Sequence, residues 1–123
     1  MSNQEQNPLV STITPVLNGE KYIAENLTSL KNQTYQNIEI LVIDNFSTDK
    51  TVEIARRMGV SVYQKGPERA SQDNYGVQVA KGKYVFITGC DMAVDLDYIE
   101  KCVRCCEGEG YDAVYASVKS RTW

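Results

Sequence analysis

The sequence contains no histidine. That absence removes Ser-His-Asp and Cys-His catalysis, histidine-ligated metals and histidine-based pH switching. Acid–base or metal chemistry then falls to carboxylates, cysteine, lysine or tyrosine. No apolar run approaches the ~20 residues of a membrane span, and polar Met1 to Pro8 has no basic-then-apolar leader. Both absences point to a cytoplasmic chain with reduced cysteines. In that setting the Asn-x-Ser/Thr triplets at Asn26, Asn32 and Asn45 are chance. Neither Gly-x-Gly-x-x-Gly nor a phosphate loop ending in Gly-Lys-Ser/Thr is present, so the two common nucleotide cradles are missing. A net charge of −3 points away from nucleic acid as a partner.

What is present suits one soluble globular domain. The chain has 123 residues, 42% of them hydrophobic and 24% charged, enough to bury roughly two-thirds of the unfolded surface. Residues 1–8 read as a flexible tail and 9–123 as a single domain. Leu9 to Thr14 is apolar and β-branched and stops at Pro15, which predicts a strand. Asn18-Gly19 marks a turn, with Asn18 placed to cap the helix predicted from Glu20 to Asn32. Ile23, Leu27 and Leu30 give that helix one apolar face. Ile38 to Ile43 is nearly all apolar, as in a parallel strand covered on both faces.

The polar stretch Asp44 to Asp49 opens a second helix, with Ser47 as its N-cap, Asp49 in its first turn and Gly59 as its C′ residue. Val60 to Tyr63 reads as a strand, Arg69 to Ala80 as a helix and Tyr84 to Thr88 as a strand. A helix from Leu96 to Glu107, capped by Asp95, would turn Leu96, Ile99, Val103 and Cys106 inward. Asp112 to Val118 reads as a last strand. Strands alternating with helices predict an α/β fold with a mostly parallel sheet, whose ligands sit at the carboxyl ends of the strands.

Those ends carry Pro15 to Asn18, Asp44-Asn45 and Gly89-Cys90-Asp91. Asp44 reads equally as an acceptor for a nucleobase N–H or ribose hydroxyl and as a local cap of its own loop. Asp91 is a candidate ligand for Mg²⁺ or Mn²⁺, hard cations that take one or two carboxylates and complete their shell with phosphate oxygens and water. Asp95 and Asp97 read as helix-start residues. Cys102 and Cys105 have C-x₂-C spacing, but they lie inside a helical pattern without a second ligand pair, which favours a structural role. Cys90 lies in the candidate loop itself, where its thiol either touches a ligand or, if exposed, is reactive.

Several ordered segments resemble a family 2 glycosyltransferase of the GT-A type. They are Leu9 to Glu20, Asn32 to Ile40, Val42 to Thr51, Glu68-Arg69 with Asn74-Tyr75-Gly76, and Ala80 to Val85. The resemblance runs from about residue 9 to residue 115. It implies a Rossmann-like α/β/α sandwich that binds a nucleotide-diphosphate sugar with a divalent metal. The sugar passes to an acceptor, whether saccharide, lipid or protein. It further implies that Pro15, Val16, Leu17, Asn18 and Glu20 line the nucleobase and ribose, that Asp44 contacts the base, and that Asp91 binds metal. Asn45, Arg69, Asn74 and Cys90 join the nucleotide site on the same grounds.

Three positions depart from the family pattern. Gly89 replaces the first carboxylate of the Asp-x-Asp element, a contact worth about 1–2 kcal/mol. Asp73 stands where an arginine is common, and reads equally as a repulsive neighbour of the diphosphate and as a solvent-facing helix residue. Leu17 replaces a common aromatic. Family domains also continue beyond this length, with the acceptor side and catalytic base in the later part. A second reading is therefore a nucleotide-sugar-binding module without its own catalysis, or a truncated or decayed glycosyltransferase, completed by a partner or by self-association. A homo-oligomer would cover exposed sheet edge.

Overall fold

The computed structural model describes residues 7–108. Strands and helices alternate as β1 (Val10–Val16), α1 (Ile23–Lys31), β2 (Ile38–Asp44), α2 (Thr51–Arg57), β3 (Ser61–Gln64), α3 (Arg69–Val79), β4 (Tyr84–Ile87) and α4 (Tyr98–Gly108). The sheet order is β3-β2-β1-β4 and every pairing is parallel. Val16 lies opposite Asp44, and Ile13 opposite Ile87. Because the strands run one way, their carboxyl ends share one edge of the sheet, which is where the candidate loops emerge. The strand predicted at Asp112 to Val118 lies outside the described residues.

Side chains alternate between the faces of a strand, and that alternation builds three layers. Val10, Val16 and Val42 pack with Ile23, Leu27 and Leu30 of α1, Ala55 of α2 and Ile99 and Val103 of α4. On the opposite face Ile13, Leu41 and Ile43 meet Tyr75 and Val79 of α3. The α/β/α sandwich expected from the sequence is thus present. Gly59 ends the α2 segment at φ +80°, the left-handed conformation expected of a C′ glycine. Among the described residues no helix is long and apolar enough to cross a membrane.

Four local expectations need correction. β1 does not stop at Pro15 but continues to Val16. Thr88 N–H donates to Ile13 O at 2.9 Å, so Ile13, and by alternation Pro15, faces the β4 side. The β1–β4 ladder ends at Ile13, so the missing proline N–H deprives no partner. Asn18 does not cap α1, because the chain first turns through Gly19 to Tyr22 and the helix begins at Ile23. Nor does Ser47 cap α2, which begins only at Thr51. Asp49 lies before that helix and accepts the Thr51 N–H at 2.9 Å. Finally, Leu96 lies in the turn ahead of α4 and is 60% exposed, while Ile99 and Val103 face inward as expected.

Candidate functional site

Two loops, one after β1 and one after β2, are stitched together by polar bonds. Asn18 N–H donates to Ser47 Oγ at 2.7 Å, and Asn18 Oδ1 accepts the Thr48 N–H at 2.8 Å. Gly19 N–H reaches Thr51 Oγ1 at 2.9 Å and Glu20 N–H reaches Asp49 Oδ2 at 3.1 Å. Lys50 N–H returns a bond to Glu20 Oε1 at 3.0 Å. The Asp49 carboxyl is pulled upward by burial, but bonds from the Thr51 hydroxyl and N–H and from Glu20 N–H outweigh this and hold it below its ordinary range. Asn18 adopts φ 52°, a conformation asparagine tolerates better than most residues.

Asp44 is fully buried. Its Oδ2 accepts the Ser47 N–H at 2.8 Å and its Oδ1 accepts the Ser47 hydroxyl at 2.5 Å. Asp44 thus organises its own loop, one of the two roles open to it on sequence grounds. Pro15 and Val16 are buried beside it at the end of β1, whereas Leu17 is 56% exposed. Phe46 is 63% exposed and sits at φ 54°, its N–H bonded to Gln64 Oε1. Asn45 is half-buried and donates from Nδ2 to Pro67 O at 2.8 Å.

The segment after β4 turns at once, with Met92 N–H donating to Gly89 O at 3.1 Å. This turn carries Cys90 and Asp91. A Cβ built on Gly19 would stand 3.0 Å from Cys90 Sγ, so the thiol rests against the β1 loop. Burial pushes the Cys90 thiol up, and the neighbouring Asp91 charge adds to this, with Arg69 opposing and Asp49 adding a smaller upward push. The thiol is therefore protonated at neutral pH and poorly nucleophilic. Those electrostatic partners also show that Cys90, Asp91, Arg69 and Asp49 share one neighbourhood.

Helix α3 closes the arrangement from the other face. Gln72 is buried and donates from Nε2 to Val16 O at 3.1 Å and to Ile43 O at 2.8 Å, joining the ends of β1 and β2. Arg69 pairs with Asp73 at 3.2 Å. Asp73 is thus an i,i+4 partner of the arginine at the site's rim. Asn74 lies exposed on α3, with no side-chain hydrogen bond to the other described residues.

Asp91 is half-buried, and its carboxylate accepts no protein hydrogen bond among the described residues. Those residues hold no group of three or more potential metal ligands. One free hard-oxygen donor at a strand end suits Mg²⁺ or Mn²⁺ when a diphosphate and water supply the other oxygens. Cys102 and Cys105 lie along α4, and burial pushes the Cys102 thiol up. Sequence reasoning did not find the buried amides Asn26, Gln33 and Gln72 or the clamp residues Ser47 and Thr51. Asn26 alone left a signal, as a polar residue three positions after Ile23 on an apolar stripe.

Three comparisons bear on this arrangement of strand-end loops. A family model described as glycosyl transferase family 2 matches residues 11–123. An uncharacterized glycosyltransferase of Haemophilus influenzae is 36% identical over 103 residues, covering 76% of this chain and 40% of that protein. Among solved structures, residues 1–349 of S. aureus TarS in complex with UDP-GlcNAc superpose with TM-score 0.76 at 27% identity, over 84% of this chain and 32% of that one. The mannosyltransferase PcManGT from Pyrobaculum calidifontis, in complex with GDP-Man and Mn²⁺, gives 0.63 at 28% identity, over 69% of this chain and 28% of that one. The chain therefore spans well under half the length of these proteins. The family match covers β1 through α4, including every strand-end loop described above, and on that ground the chain belongs to glycosyl transferase family 2.

Proposed function

We propose that the strand-end loops bind the nucleotide-diphosphate sugar of a glycosyl transfer, with a divalent cation held at Asp91. The observation that carries this reading is the Asp91 carboxylate, half-buried at the end of β4 yet free of protein hydrogen bonds among the described residues. Crystal complexes of two similar proteins with UDP-GlcNAc, and with GDP-Man and Mn²⁺, support it. Leu17 and Phe46, exposed at the ends of β1 and β2, offer apolar contact to a nucleobase. Asn18, Glu20, Asp44 and Asn45 hold the loops that frame it, and Arg69 brings positive charge to the same rim, held by Asp73. Mg²⁺ or Mn²⁺ at Asp91 would neutralise the departing diphosphate as a Lewis acid. The acceptor is a hydroxyl of a saccharide, lipid or protein.

Thermal denaturation with UDP, GDP and their sugars, with and without Mn²⁺, tests this reading. A ligand that binds only the folded state raises the Tm, by linkage of about 2.7 kcal/mol at 100 times its Kd. The metal-dependent part of the rise is expected to vanish in Asp91→Ala. No rise with any of these ligands at millimolar concentration would reject the reading. Release of sugar from the donor by the chain itself then separates transfer from binding alone.

A further inference from the structure

Asn26 is 1% exposed, and it interrupts the apolar stripe of α1 between Ile23 and Leu27. A buried amide costs desolvation unless its bonds are made. Its Nδ2 donates to Met92 O at 2.8 Å and to Gly89 O at 3.2 Å, with Thr88 Oγ1 further away at 3.4 Å. Its Oδ1 accepts the Thr14 hydroxyl at 3.0 Å. Gly89 and Met92 are the two ends of the turn closed by Met92 N–H to Gly89 O. One carboxamide thus grips both terminal carbonyls of the four residues that carry Cys90 and Asp91. The two carbonyls decide which way the amide faces, because only its N–H groups can meet them, and the Thr14 hydroxyl then donates to the amide oxygen left over.

We propose that Asn26 is a positioning residue for metal binding, clamping the Gly89–Met92 turn so that the Asp91 carboxylate is held ready for the cation. The proposal rests on the reading of Asp91 as a metal ligand. An apolar residue at this position would complete the α1 stripe, yet the amide's bonds go to β1 and to the turn. The rest of the β4–α4 connection has its own tethers. Ser29 Oγ accepts the Val94 N–H at 2.9 Å. Gln33 Nε2 donates to Asp95 O at 2.6 Å, and its Oε1 accepts the Ile99 N–H at 3.1 Å. Loss of Asn26 is therefore expected to loosen the turn while the connection stays attached.

The test uses Asn26→Leu, which restores an apolar stripe, and Thr14→Val, which leaves the amide in place but removes the donor to its oxygen and so loosens its hold. Mn²⁺ binding is followed by loss of the free-ion EPR signal in the presence of saturating UDP or GDP. Nucleotide affinity without metal is measured in parallel by calorimetry. Asn26→Leu is expected to weaken Mn²⁺ by about 10–100-fold, the usual effect of removing a group that orients a metal ligand. Thr14→Val should weaken it less, with metal-free nucleotide affinity unchanged in both. Unchanged Mn²⁺ affinity in both variants would overturn the proposal, as would equal losses with and without metal, the mark of a merely structural residue. Circular dichroism checks folding, and if Asn26→Leu does not fold, Thr14→Val decides. Failure of the underlying reading is seen separately, as absence of Mn²⁺-dependent nucleotide binding in the unaltered protein.

Discussion

Asp49 holds the loops after β1 and β2 together through one carboxylate, which accepts from Glu20 N–H and from Thr51. Those bonds favour its charged form and hold its pKa below the ordinary 3.8. A carboxyl with a lowered folded-state pKa contributes stability above its unfolded value, and that contribution is lost as pH falls through the folded value. Asp49→Asn should therefore lower the Tm near neutral pH. The gap to the unaltered protein should close as pH falls through 3.8 and below. Calorimetric scans across that range check this, and a gap independent of pH would show that the charge is irrelevant. Gly89 presents the opposite situation. A Cβ there would meet Asp91 Oδ1 at 3.0 Å, so Gly89→Asp sets two carboxylates side by side. Like charges at that spacing resist ionising together, and the metal-free protein should lose Tm relative to the parent. Mn²⁺ should then raise the Tm of Gly89→Asp by more than it raises that of the parent. An equal Mn²⁺ response would mean that the second carboxylate does not reach the ion.

At the scale of elements, the contact between α3 and β1 depends on Gly76. A Cβ added there would lie 2.7 Å from Ile13 Cγ2 and 2.9 Å from its Cδ1, and Ile13 is fully buried. Alanine would gain roughly 0.8–1 kcal/mol of helix propensity, against overpacking that costs about 2 kcal/mol. The clash wins, so Gly76→Ala should lower the urea midpoint. Adding Ile13→Val, which removes the Cδ1 methyl, should recover part of the loss; non-recovery would place the strain elsewhere. The order and type of these elements were legible because buried parallel strands read as apolar runs and helices as 3.6-residue stripes. Helix starts were less legible. Ser47 and Asp49 both look like caps, and only the cross-loop bonds from Asn18 and Glu20 show that the chain stays in an irregular loop until Thr51. Leu96 was misplaced because an apolar residue just before a stripe resembles its first member. At the site, Asp44 and Asp91 could be found from their places at strand ends. The buried amides could not, since Asn26 and Gln72 act on carbonyls 63 and 56 residues away along the chain and no local pattern names those partners.

For the whole molecule, the sheet's two margins differ. At one margin β3 is short, and its Ser61 and Gln64 are exposed polar residues. At the other, β4 pairs only with β1 among the described residues. Tyr84 and Phe86 of β4 turn toward the α4 side, and Tyr84 together with Lys83 bonds Glu107 there. Val85 and Ile87 turn to the opposite face, where each is 40% exposed, and Val77 of α3 is 51% exposed. An apolar face beside a strand edge that is unpaired among the described residues invites pairing with another chain, through backbone hydrogen bonds and burial together. Surface charge does not prevent this, because a net charge of −3 gives only weak repulsion between copies. The 123-residue chain is therefore expected to self-associate with rising concentration. Val85→Lys should shift it toward monomer in light scattering coupled to size exclusion. Val85 is exposed, lies two residues before the end of β4 and turns away from α4, so the nucleotide-dependent rise in Tm should persist in the variant. A monomer at every concentration before substitution would show that this margin is already covered, and loss of the nucleotide response on substitution would show that the margin and the site are coupled.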